Sequence, residues 1–209
     1  MPSEVLEPLR LRRSAGERLT REVYRPDFRR RMEALRDSGF WKLERRQHFE
    51  EIGSASRDAL RRGDWAAALR LFDERRPQLA QEKQKDAQRG LVKYRVRIVR
   101  QPLSPYVQWE LHSLRQQAEY GTRVRVVRTE QLGGLEAAGP LPELVSLGGQ
   151  VLYEVCYTRD GVPDGAIRFT APDTVRRAEE LIKGLYRIGE DIAPYFAREV
   201  APLPPPPAA

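Results

Sequence analysis

The sequence predicts a mixed α/β fold: a central sheet of about five strands with a parallel crossover, closed by a β-hairpin and a helix, and preceded by an α-helical N-terminal third. Three observations carry this. Val92 to Arg100 alternates strictly, with Tyr94, Val96 and Ile98 against Lys93, Arg95 and Arg97, the period of a strand. A capped helical pattern then runs from Ser104 to Gly121 and leads directly into a second alternating run, Thr122 to Arg128. Strand, helix and strand with short connections make a right-handed parallel crossover. Finally, Val151 to Thr158 and Ala166 to Thr170 flank the turn sequence RDGVPDG, a hairpin with a longer loop.

Taken in order, residues 1–25 mix Pro, Gly and charge without periodicity and form a loose leader. Residues 26–90 form a mainly helical segment with one strand. Pro26 suits a first helical position, Phe28, Met32 and Leu35 share a face, and Gly39 offers a left-handed cap. Phe40 to Arg45 reads as a strand. Phe49, Ile52, Ser56, Ala59 and Leu60 mark a helical stripe ending at Gly63-Asp64, and Asp64 caps a second helix with Trp65, Ala68, Leu69 and Phe72 on one side. That second helix resembles one of a tetratricopeptide repeat, and a single copy amounts to a helical hairpin. Gln78 to Arg89 is too polar for a core and is an exposed helix or a linker.

Residues 91–190 form the α/β domain. In its helix Val107, Leu111, Leu114 and Ala118 repeat at helical spacing behind Ser104 and Pro105. Residues 129–149 are a Gly- and Pro-punctuated loop with one short strand near Leu144. Pro172 opens a last helix, with Val175, Ala178, Ile182 and Leu185 aligned and Gly189 closing it. Residues 191–209 form a Pro-rich tail.

Of the 209 residues, 37 are Lys or Arg and 30 Asp or Glu, a net +7. Residues 1–90 hold 22 basic against 16 acidic side chains, so the excess sits in the first half. The Arg doublets there form either a phosphate-binding surface or a solvated helix face. Cys156 is the only cysteine, which excludes an internal disulfide. The first residues lack a signal-peptide pattern and no run approaches the ~20 apolar residues of a membrane span, so a cytoplasmic protein without membrane contact is expected.

No readable catalytic or metal constellation emerges, and no cofactor is expected. His48 and His112 are far apart and Cys156 stands alone, against the close spacing a zinc site needs. Phosphate-loop, dinucleotide-binding and nucleophile-elbow patterns are missing. One constellation stands out. If the two central strands are parallel neighbours, Lys93, Arg95, Arg97, Arg123 and Arg125 share one sheet face, and five like charges need something negative. That partner is Glu154 or Glu110 within the chain, solvent, or a bound anion. Tyr106, Trp109 and Glu110 cluster on the adjoining helix, where they complete such a site or pack under the N-terminal helices.

Arg95 to Val127 (RVRIVRQPLSPYVQWELHSLRQQAEYGTRVRVV) resembles the signature of an actinobacterial, Streptomyces-type family of unknown function. Phe40 to Phe49 and Val151 to Leu185 are similar to its flanking parts, so the likeness covers residues 28–190. It implies an accessory regulatory role beside helix-turn-helix regulators. The closing half also resembles phospholipase-D-like effector domains that lack the catalytic His-x-Lys motif, and here Ser113 and Leu114 follow His112. The resulting expectation is a non-enzymatic regulatory or protein-interaction domain acting with a DNA-binding partner of the helix-turn-helix type. The alternative is nucleic-acid or phosphate-ligand binding through the basic strand face.

Overall fold

The computed structural model describes residues 6–207. In chain order the elements are β1 (Glu17–Leu19), α1 (Arg21–Ala34), β2 (Gly39–Glu44), α2 (Ala55–Arg61), α3 (Trp65–Asp73), α4 (Arg76–Gln88), β3 (Val92–Val99), α5 (Pro105–Glu119), β4 (Arg123–Arg128), β5 (Leu144–Leu147), β6 (Val151–Tyr157), β7 (Pro163–Phe169), α6 (Pro172–Ile188), β8 (Glu190–Asp191) and α7 (Ile192–Glu199). All eight strands join one sheet in the order β1-β7-β6-β5-β2-β3-β4-β8. Strands β2, β3 and β4 run parallel, and every other neighbouring pair is antiparallel. Parallel neighbours need long crossovers, and these are α2–α4 between β2 and β3, then α5 between β3 and β4.

Helices cover both faces. Val99, Val124 and Val126 pack with α2, α3, α5 and α7 on one side, where α1 covers the β5–β7 end through Val145, Tyr153 and Ala166. Leu43, Val96, Ile98 and Val127 meet α6 on the other. A sheet buried on both sides needs apolar residues at successive positions, as Val96, Ile98 and Val99 supply.

Local signals placed several elements correctly. Ser104 caps α5 by accepting from the Val107 amide at 3.2 Å, and Asp64 caps α3 through Ala67 at 2.9 Å. The crossover β3–α5–β4, the β6–β7 hairpin, the short strand at Leu144 and helix α6 all form. The stretch Gln78 to Arg89 falls almost wholly within α4, exposed but for a few side chains such as the buried Leu79.

Other expectations need correcting. Among the described residues the sheet has eight strands rather than about five: two very short edge strands, β1 and β8, are added to β2–β7 and carry too few residues to show a period. The N-terminal third is not a separate helical unit: β2 lies between β5 and β3 near the middle of the sheet. Its alternation is masked because Lys42 and Glu44 face inward with Phe40. The supposed leader supplies β1, paired to β7 from Glu17↔Arg168 to Leu19↔Ala166, and Leu6, Leu9 and Leu11 pack on the α6 core. Helix α1 starts at Arg21, so Pro26 sits inside it, and the left-handed residue that follows is Asp37 (φ 44°), not Gly39. Helix α2 begins only at Ala55, leaving Phe49 and Ile52 in the preceding loop. The supposed tail holds α7, whose Ile192, Tyr195 and Phe196 enter the main core. The proline run beyond it dominates the composition and hides those three residues. Phe196→Ala is expected to cost about 3 kcal/mol in urea unfolding; an unchanged midpoint would place α7 outside the core.

Candidate functional site

The strand register decides the fate of the five cations. Arg95 pairs with Val124 and Arg97 with Val126, whereas Arg123 pairs with Tyr94 and Arg125 with Val96. Registered partners share a face, so Lys93, Arg95 and Arg97 point to the α5 side, and Arg123 and Arg125 to the α6 side. The shared cationic face expected from the alternation does not form. A register one residue away would have gathered the five cations, but it would have turned Val124 and Val126 out of their core.

On the α5 side the chain neutralises its own charges. Arg95 binds Glu44 through Nε at 2.5 Å and Nη2 at 2.8 Å, and reaches Gln117 Oε1 at 3.0 Å. Arg97, fully buried at 0% exposure, binds Glu110 Oε2 at 2.6 Å and donates to the Ile98 carbonyl at 2.9 Å. Lys42 meets Glu44 at 2.6 Å and Lys93 meets Asp86 at 2.5 Å. Burial pushes the Glu44 carboxyl up, but Arg95 and Lys42 outweigh it and hold the group well below the usual carboxylate range. At Glu110 burial dominates, Arg97 opposes it only in part, and the nearby Glu44 charge pushes the same way, so this carboxyl is raised. Glu110 is thus the internal partner that the sequence offered, joined by Glu44, whereas Glu154 pairs elsewhere. Tyr106 donates to Glu51 and Trp109 to Ser56, each at 2.9 Å, so both pack under the N-terminal helices.

On the α6 side the cations lie over rings. Arg123 sits 5.3 Å from the Tyr94 centroid, Arg125 5.3 Å from Tyr186 and Lys183 5.4 Å from Trp41, while Trp41 and Tyr94 stack at 3.9 Å. Such contacts hold a cation by the ring quadrupole.

The nucleophile and base candidates are quiet. His112 lies edge-on to Trp65 and Phe196, and burial pushes it down to about 4, which keeps it neutral. The Cys156 thiol is pushed up by burial. Among the described residues no cluster of His, Cys, Asp and Glu could hold a metal ion, and no helix is long and apolar enough to cross a membrane.

A cavity of about 1180 Å³ opens where β2 and β3 end. Arg45, Arg46 and His48 follow β2, Arg100 and Ser104 follow β3, and Arg13, Arg18 and Glu154 line other parts of the wall. The crevice beyond the carboxyl ends of parallel strands is the usual ligand position in such sheets. Gln47 ties the two strand ends together. Its amide donates to the Ile98 carbonyl at 2.9 Å, its side-chain oxygen accepts from the Arg100 amide at 2.8 Å, and its own carbonyl accepts from Ser104 at 2.9 Å.

The arginines differ in how far they are engaged. Arg45 forks onto Glu136 at 2.7 and 2.9 Å, and Arg18 binds Asp164 at 2.7 Å. Arg46 reaches two carbonyls at 3.2 Å, yet its buried Nε has no partner among the described residues. The exposed Arg100 guanidinium has no protein partner among the described residues. In the sequence Arg45-Arg46 registered only as one more doublet, and Arg100 as the last residue of a strand. Their position just past two parallel strand ends was the signal that could have found them.

Glu143 floors the cleft, accepting from the amides of Arg45 at 3.0 Å and Arg46 at 2.7 Å. Burial, reinforced by the Glu44 charge, pushes its carboxyl up to about 7. The folded protein therefore holds a proton there that the unfolded chain releases near 4.5, so this contribution is complete below pH 4.5 and lost as pH rises through about 7. Glu143→Gln should consequently gain on the wild type between pH 5 and 8 in urea unfolding, and a pH-independent difference would contradict it. For the buried pair, Glu110→Ala is expected to cost about 3–5 kcal/mol by leaving Arg97 unpaired, measured the same way.

No curated protein and no solved structure matches the chain. A family model described as Domain of unknown function (DUF6879) matches residues 26–197. That span includes all of residues 28–190, on which the sequence resemblance rests, and most of the chain. This protein belongs to the DUF6879 family.

Proposed function

We propose that the protein is a non-enzymatic binding domain that takes a small anionic, phosphate-bearing ligand in the cleft beyond β2 and β3. The observation that carries the reading is Arg100, a guanidinium without a protein partner among the described residues, which lines the same cavity as Arg46. Arginine forks suit phosphate oxygens, and the Gln47 bridge fixes the backbone from which both side chains spring. A binding rather than catalytic role is supported by the neutral, ring-packed His112 and the protonated Cys156.

In the regulatory setting that the resemblance implies, occupancy of the cleft would be relayed to a DNA-binding partner. Large exposed apolar side chains are Val23, Ile52, Ile188 and Leu203, on four different segments, so the argument for a partner rests on the resemblance rather than on an apolar surface. Nucleic-acid binding by the five strand cations draws no support from a register that divides them between two faces.

Calorimetric titration with inorganic pyrophosphate at low salt tests the reading. Saturable binding is expected, weakened about ten- to a hundredfold in Arg100→Ala, as for loss of one charge-assisted hydrogen bond of ~1.5–3 kcal/mol, and weakened again by added salt. Absent binding, or an affinity indifferent to Arg100→Ala, would overturn it.

A further inference from the structure

We infer that the ligand of this cleft is zwitterionic, carrying besides its anionic group an ammonium or similar N–H donor that meets Glu154; the inference rests on the anion-binding reading above. Glu154 lies in β6 and is only 4% exposed, yet it lines the cleft. Both Arg13 donors, Nε at 3.0 Å and Nη2 at 2.5 Å, converge on its Oε1. The buried Oε2 has no partner. An arginine facing a carboxylate usually spreads over both oxygens; here it is doubled onto one, and the second is buried without a donor among the described residues.

Among the described residues no group donates to Oε2. Across the sheet Glu154 is flanked by Leu144 and Ile167, both apolar. The other buried carboxylate of the cleft, Glu143, differs in being supplied by backbone amides. A buried carboxylate oxygen without a donor is unfavourable, and a ligand N–H would relieve it. A purely anionic ligand would instead be repelled by Glu154, so the wall selects for a molecule with both charges. Arg100 and Arg46 provide for its anionic end.

The test compares ω-aminoalkyl phosphates of two, four and six carbons with n-alkyl phosphates of the same lengths, titrated into the full chain. At the best-fitting length the amino compound should bind about tenfold more tightly than its alkyl counterpart. In Glu154→Gln that ratio should collapse toward one, the amino compound losing affinity and the alkyl phosphate gaining some as the repelling charge is removed. Glu154→Asp, which keeps the charge on a shorter arm, should move the optimum toward a longer chain, and it serves if the glutamine variant does not fold. Equal affinities across the matched pairs in the wild type would mean that water alone meets Oε2, overturning the inference and leaving the anion site standing. Failure of every phosphate to bind would overturn both. A ratio that survives Glu154→Gln would place the amine elsewhere and also sink the inference.

Discussion

Strands β2 and β3 can lie side by side under α5 because the charges they turn toward that helix cancel. Glu44 from one strand meets Arg95 from the other, and Glu110 from α5 meets Arg97. Buried charges are expensive to desolvate, and an ion pair offsets that only with close geometry and further hydrogen bonds. The geometry is close, Arg95 adds Gln117, and Arg97 adds two backbone carbonyls through Nη1 while its Nη2 has no partner among the described residues. Such a pair adds little net stability over apolar packing, but it penalises wrong alignments. If β2 slipped by one residue against β3, Glu44 would lose Arg95, and two ionised groups would be stranded between sheet and helix.

The same alignment sets the cleft. With the register of β2 and β3 fixed, the segments that follow them emerge together, and Gln47 can reach both Ile98 and residues 100–104. Arg46 and Arg100 are thereby presented from a braced backbone, although neither belongs to a helix or strand. Glu143 completes the floor by gathering the amides just past β2, which ties the residues immediately before β5 to the same strand end.

Periodic elements were legible in the sequence because burial on one helix stripe or one strand face leaves a repeating mark. Ser104 and Asp64 announced their helices through cap chemistry that needs no tertiary context. Register was not legible: Arg95 and Arg123 look alike in alternating strings, and only the packing of Val124, Val126, Val96 and Ile98 on opposite helices decides which way each points. The edge strands escaped because two or three residues cannot show a period. Helix α7 escaped because its apolar residues stand beside a proline run. The cleft was invisible for a related reason, since its walls come from six parts of the chain that share no local pattern.

The wall made by Leu9, Leu11, Arg13 and Arg18 lies upstream of the region that defines the family match, residues 26–197. A fragment trimmed to those bounds would therefore begin inside α1, strip β1 from β7 and leave that strand as an open edge, the kind of surface that recruits foreign strands. It would also release Glu154 from Arg13. Domain boundaries drawn from sequence similarity and the boundaries of the cleft are different things in this molecule, and cutting at the first would dismantle the second.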